Sequence, residues 1–204
     1  MFYVGLDLGE KHDPSAIAVA ERIERGRPYG APEFEEMRVR LLARVPLGTP
    51  YPDLVDGVRE LVLHDELRGQ VTLVVDATGV GAPVVEMLRG ARLGCEVVAV
   101  TITGGDKASH QGQNWSVPKA DLLAGVQVLL EERRLRIAGE MPEARWLIKE
   151  LVDMRARRRT SGRVRMGADG FGEHDDLVIA VALAVWRGRT RTPPVFGGGR
   201  LPGI

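Results

Sequence analysis

Carboxylates stand at three places where an apolar element begins or ends. Asp7 interrupts the strand-like run Phe2-Tyr3-Val4-Gly5-Leu6-Asp7-Leu8. Asp76 closes Val71-Thr72-Leu73-Val74-Val75, and the pair Asp175-Asp176 opens the apolar stretch from Leu177 to Trp186. A carboxylate in such surroundings is costly to bury unless something cationic satisfies it. Aspartates offer the oxygen donors that magnesium and manganese prefer. Two such ions about 3.5–4 Å apart can activate a water and stabilise the leaving oxygen in phosphodiester cleavage. Taken singly, each of these residues also suits a turn or a helix N-terminus, where an acidic side chain is favourable anyway. Asp7 is the hardest to explain that way, and three stations together favour a shared metal site.

The elements that must position these groups follow from hydrophobic period. Residues 2–8 and 15–23 are rich in Val, Ile, Ala and Leu and read as strands, separated by the turn-like Gly9-Glu10-Lys11-His12-Asp13-Pro14. A third strand is expected within 34–45. The period then changes: Leu54, Val58, Leu61 and Val62 share a helical face behind Pro52. A buried strand at 71–76, a helix at about 81–91 and a strand at 96–102 come next. Leu122, Leu123, Val126, Leu129 and Leu130 form the stripe of a helix from about 118 to 132. Two more helices are expected at about 142–153 and 174–187. Strands first, then strands alternating with helices, predict an α/β sheet covered by helices on its faces. The tail 188–204, with Pro193-Pro194 and Gly197-Gly198-Gly199, reads as a flexible end after a single domain over 1–187.

Composition narrows the function classes. The 204 residues suffice for one domain with a real core, and no apolar run is long enough to cross a membrane. Met1-Phe2-Tyr3 lacks a basic start, so no signal peptide is expected. Cys95 is the only cysteine, which rules out an intrachain disulfide and a thiolate zinc cluster and suits a reducing cytoplasm. With 28 basic and 28 acidic residues, any attraction to nucleic acid must be local. A single asparagine, Asn114, beside abundant Arg, Glu and Pro suggests a thermophilic source.

The stretch Gly172-Glu173-His174-Asp175-Asp176-Leu177-Val178-Ile179-Ala180 resembles the closing motif of the nuclease domain of viral (bacteriophage) terminase large subunits. Tyr3-Val4-Gly5-Leu6-Asp7 is similar to that family's first metal-binding strand. Val74-Val75-Asp76-Ala77-Thr78-Gly79-Val80-Gly81 is similar to its second, and Val117-Pro118-Lys119 precedes a similar Leu-rich helix. The motifs occur in the family's order over about residues 2 to 187. The resemblance implies an RNase H-like fold, a central mixed five-stranded sheet flanked by helices. It also implies two Mg2+ or Mn2+ ions held by Asp7, Asp76 and one or both of Asp175 and Asp176, cleaving double-stranded DNA during genome packaging. Asp176 is favoured as the direct ligand, because with Ile179, Ala180 and Leu183 it lies on an apolar helical face that can turn inward. Asp175 is then left to bind a second ion, orient a water or favour the helix N-terminus. His174 is a candidate to assist a bound water. An ATPase motor, a small terminase subunit and a portal are the partners the resemblance implies. No G-x-x-x-x-G-K-[ST] run occurs, so a motor would act from outside this stretch, whether it is an excised domain or a free-standing relative.

Basic residues suggest the path of the substrate. Arg155, Arg157, Arg158, Arg159, Arg163 and Arg165 fall within eleven residues around Ser161-Gly162, a pattern read as a β-hairpin gripping phosphates. A solvated hairpin is the plain alternative, but this density in a chain of zero net charge favours nucleic acid. Lys119 is a further candidate, to position a phosphate or the nucleophilic water. The run Gly104 to Trp115 reads as a long polar loop that covers the site or contacts DNA, with Trp115 as an anchor to the core.

Rival readings are weaker. Gly79 and Gly81 suggest a dinucleotide fingerprint, but its third glycine would fall at Val84. Gly5-Leu6-Asp7-Leu8-Gly9 also resembles the first phosphate loop of actin-like kinases and chaperones, which need two lobes to enclose ATP. A RuvC-like Holliday-junction resolvase is the nearest enzymatic alternative. A silent RNase H-like module that binds DNA or a packaging partner is the non-enzymatic one.

Overall fold

In β1 (Phe2–Asp7) and β2 (Ala16–Arg25), neighbouring apolar residues face opposite ways, so both sides of the sheet are apolar where these strands lie. The computed structural model describes residues 1–9, 13–26, 33–79, 81–161 and 175–190, with the backbone alone for 155–161. β3 (Glu33–Arg44) completes an antiparallel meander, with irregular register between Val19 and Ala20 and between Ile23 and Glu24. Helix α1 (Tyr51–Leu63) follows, with Pro52 in its first turn, where no intrahelical N–H bond is lost. Next come β4 (Val71–Asp76), α2 (Gly81–Gly90) and β5 (Glu96–Thr103). The chain continues through β6 (Ser109–Gln111), β7 (Asn114–Pro118), α3 (Lys119–Glu131), β8 (Leu135–Ile137), α4 (Ala144–Ser161) and α5 (Asp176–Thr190).

The sheet order is β6-β7-β5-β4-β1-β2-β3-β8, eight strands rather than the five expected. The five central strands are the ones the period revealed; the other three are short edge pieces. Two of them replace the expected polar loop. Ser109–Gln111 pairs antiparallel with Asn114–Ser116, and β7 pairs parallel with β5. Trp115 packs edge-on to Trp186 at 5.2 Å, and His110 stacks on Trp115 at 4.1 Å. A second correction concerns the basic segment. The expected hairpin at 155–165 is absent from its first half, where α4 runs unbroken to Ser161. Arg, Met and Ala are good helix formers, and the Ser161-Gly162 turn signal acts only at the helix end. Helix α5 runs through Gly188 to Thr190, three residues longer than its apolar pattern implied.

Residue parity divides the core. Val4, Leu6, Leu73 and Val75 face α1 and α2, while Tyr3, Val74, Val98 and Val100 face α3, α4 and α5. Helix α5 is apolar all round and buried along nearly its whole length, as expected of a helix enclosed by other elements. It lies directly on β1. A Cβ built on Gly5 would fall 1.9 Å from the Ala180 carbonyl oxygen and 3.1 Å from the Ala184 amide nitrogen. The small residues Ala180, Ala184 and Gly188 recur every four positions and let the backbones approach. At the far end Arg22 donates to the Gly188 carbonyl, satisfying a helix-terminal acceptor.

Candidate metal centre

Asp7 ends β1 and Asp76 ends β4, two neighbouring parallel strands. With Leu6 opposite Val75 in the ladder, the next pair along is Asp7 and Asp76. Asp7 has the parity of Tyr3, and Asp76 that of Val74, so both carboxylates belong to the face covered by α5. The contact of α5 with Gly5 holds its N-terminus, and with it Asp175 and Asp176, over that sheet edge.

The electrostatics show that these groups share one field. Asp7 is held well above the usual carboxylate range, first by burial and then by the charges of Asp76, Asp175 and Asp176, while Lys119 pulls the other way. No hydrogen-bond donor among the described residues is found on its carboxylate. Asp76 is raised too, chiefly by burial, although the Thr78 N–H donates to its Oδ1 at 2.8 Å. Thr78 in turn accepts from the Ile102 N–H at 2.9 Å, tying the Asp76 loop to β5.

The adjacent aspartates differ. Asp175 receives Lys119 Nζ at 2.7 Å and keeps about a third of its side chain exposed. Asp176 is turned inward, as its helical face implied, and meets a cation there. Arg44 Nε donates to its Oδ2 at 2.7 Å. Arg44 also binds Glu150, whose other oxygen accepts the Val178 N–H at 3.0 Å. Burial, opposed by the Val178 N–H and reinforced by the Asp176 charge, pushes Glu150 up to about 7.

Asp7, Asp76, Asp175, Asp176 and Lys119 therefore lie near enough for their charges to act on one another. His174, Arg163 and Arg165 lie outside the described residues. Arg155, Arg157, Arg158 and Arg159 fall on the helical backbone of α4. Arg44 and Glu150 escaped the sequence reading. Glu150 carried a signal: it shares a helical face with Leu147 and Met154, a charge at an apolar position. Among the described residues no three His, Cys, Asp or Glu side chains are already gathered as a coordination shell. The fit to a divalent ion is one of donor chemistry and charge. Asp7, Asp76 and Asp175 are all oxygen donors, and Asp7 is a carboxylate without a hydrogen-bonding partner of its own among the described residues, raised by its acidic neighbours.

A central sheet whose first three strands form an antiparallel meander and whose later strands run parallel, with helices on both faces, defines an RNase H-like fold. No protein-family model and no curated protein sequence matches the chain. Among solved structures the fold is that of a terminase nuclease domain. The human cytomegalovirus terminase nuclease domain, Mn-soaked and inhibitor-bound, superposes with a TM-score of 0.52 at 13% identity, covering 90% of this chain and 82% of that one. The Mn-soaked form without inhibitor gives a TM-score of 0.50 at 13% identity, over 91% and 81%. Thermus thermophilus RuvC matches more loosely, with a TM-score of 0.40 at 14% identity over 91% of each chain, and does not bear on function.

Proposed function

We propose that this chain is a divalent-metal-dependent endonuclease that hydrolyses phosphodiester bonds of double-stranded DNA, as in terminase-mediated genome packaging. One observation carries the reading. Asp7 and Asp76, at the ends of neighbouring parallel strands, share a face and a field with Asp175 at the start of α5. Asp7, Asp76 and Asp175 are the residues that would hold Mg2+ or Mn2+, two ions in the full site. When bound, these ions supply Lewis acidity and an activated water. The Mn-soaked terminase nuclease domain supports that choice of metal.

The chain's own residues do the rest. Asp7 and Asp76 sit on strand ends, so their positions are set by the sheet rather than by loops. Lys119 places a positive charge beside Asp175, where it can hold a phosphate oxygen once the carboxylate turns to a metal. Arg155, Arg157, Arg158, Arg159, Arg163 and Arg165 are the residues that would grip the DNA backbone. Arg155 begins roughly 7.5 Å along the helix axis from Glu150, at about 1.5 Å per residue. Arginines aimed at phosphates carry no base information, so sequence preference is weak. A motor, a small subunit and a portal are the partners that packaging would require.

The test is cleavage of supercoiled plasmid with Mn2+, Mg2+ or EDTA by wild type and Asp76→Ala. Metal-dependent nicking and linearisation that the variant loses is the expected result. No cleavage by a folded wild-type protein with Mn2+ present would contradict the reading and favour a binding module.

A further inference from the structure

Side chains from three elements meet one residue away from Asp175. Arg44 is the last residue of β3, and Glu150 lies on α4. Arg44 bonds both Asp176 and Glu150, and its Nη1 lies 3.7 Å from Glu143 Oε2. The first N–H groups of a helix have no partner inside it. Glu150 supplies one from a neighbouring helix by accepting the Val178 N–H. Asp176 and Glu150 are 5% and 8% exposed, so this knot is inside the protein. Asp175 directly precedes the helix, and its carbonyl accepts the Ile179 N–H at 2.9 Å, so the place of Asp175 is tied to that of the first turn.

We propose that Arg44 and Glu150 are positioning residues for the metal centre. Acting through Asp176 and the Val178 N–H, they set the rotation of the first turn of α5, so that Asp175 is presented to Asp7 and Asp76 and Asp176 is withheld. The inference rests on the metal reading above. The chemistry supports the division of labour. A buried carboxylate held by a guanidinium has its charge neutralised and an oxygen occupied, which makes it a poor ligand. Asp175 is held by a lysine at a partly exposed position, and an ammonium on a flexible stem yields readily to a stronger cation.

The experiment measures Mn2+ binding to the full chain by electron paramagnetic resonance, with thermal melts as the control for folding. Wild type is compared with Asp7→Asn, Arg44→Met, Arg44→Lys and Glu150→Gln. Groups that orient metal ligands are worth about 10- to 100-fold in metal affinity. Arg44→Met and Glu150→Gln are expected to weaken Mn2+ binding by about tenfold or more. Arg44→Lys should recover part of the loss, since one ammonium can still hold Asp176. Glu150→Gln keeps the volume and an acceptor for the Val178 N–H, so it carries the test if Arg44→Met does not fold. Folded variants that bind Mn2+ within about twofold of wild type, while Asp7→Asn does not, would overturn the positioning role alone. A wild type with no Mn2+ binding sensitive to Asp7→Asn would overturn the metal reading and this inference with it.

Discussion

Gly5→Ala adds one methyl group at the point where α5 rests on β1. The new Cβ would stand 1.9 Å from the Ala180 oxygen and 2.9 Å from the Ala180 carbonyl carbon. An ordinary carbon–oxygen approach is about 3.3 Å or more. The helix must therefore retreat by roughly 1.4 Å, and because both sides of the contact are backbone no rotamer change relieves it. Overpacking of this kind costs about 1–3 kcal/mol, and a backbone clash belongs at the upper end. At about 2–4 °C per kcal/mol for a chain of this size, a loss of about 3 kcal/mol lowers Tm by about 6–12 °C. Since α5 carries Asp175, a shift of this order should also slow plasmid cleavage by about 100-fold in whatever protein remains folded. Gly57→Ala is the matched control. Gly57 lies in α1 with nothing within 4 Å of its Cβ position, so alanine should stabilise by about 0.5–1 kcal/mol. A Gly5→Ala protein melting within about 2 °C of wild type would refute the direct seating of α5 on β1.

Lys119→Met removes the cation that holds Asp175 and lowers the pKa of Asp7 and Asp76. Mn2+ should then bind at least about threefold tighter, because a competing cation is gone, while cleavage slows because the phosphate loses its partner. Weaker Mn2+ binding in folded Lys119→Met would mean that the lysine supports the ligands rather than competing for them. Stability should also depend on pH in an unusual direction. Asp7, Asp76 and Glu150 all have folded pKa values above their ordinary ones, so the folded chain binds more protons than the unfolded chain. The stabilisation is complete below the ordinary carboxylate range and is lost as pH rises towards the raised values, about 7 for Glu150. Each group adds a slope of at most about 1.4 kcal/mol per pH unit. In EDTA, Tm should fall between pH 5 and 7.5, and Mn2+ should raise Tm more at pH 8 than at pH 5. A metal-free Tm that climbs across that range would count against the strained carboxylate cluster.

The five central strands and the principal helices were legible because each carries a clean period and a long apolar stripe. What escaped was short or polar. β6 (Ser-His-Gln) has no apolar residue, and β8 (Leu-Arg-Ile) is three residues long. Both exist because a preformed sheet edge offers free backbone groups, and that is a tertiary fact. The arginine segment misled for a related reason. A Ser-Gly pair marks a break, but nothing local says whether a helix or a strand is being broken. Length decides it, since α4 gains one hydrogen bond per added residue once it is packed on α5.

The site shows the same limit more sharply. That Asp7 and Asp76 stand in or at the end of strands was readable from their apolar runs; that the two strands are neighbours was not. That Asp176 turns inward was readable from the face it shares with Ile179, Ala180 and Leu183. What it turns towards was not. The inward direction leads to Arg44, 132 positions away in the chain. An apolar neighbourhood says only that a carboxylate needs a cation there. It does not say whether that cation is a metal or a guanidinium. Arg44 supplies a cation for Asp176, and on the proposed reading its neighbour is the carboxylate that would trade a lysine for a metal. The two adjacent acids would then serve one centre differently, the buried one by holding the helix and the half-exposed one by facing the ions. On this account Asp176→Asn should be judged by what it does to Asp175, and its effect should track that of Glu150→Gln rather than that of Asp7→Asn.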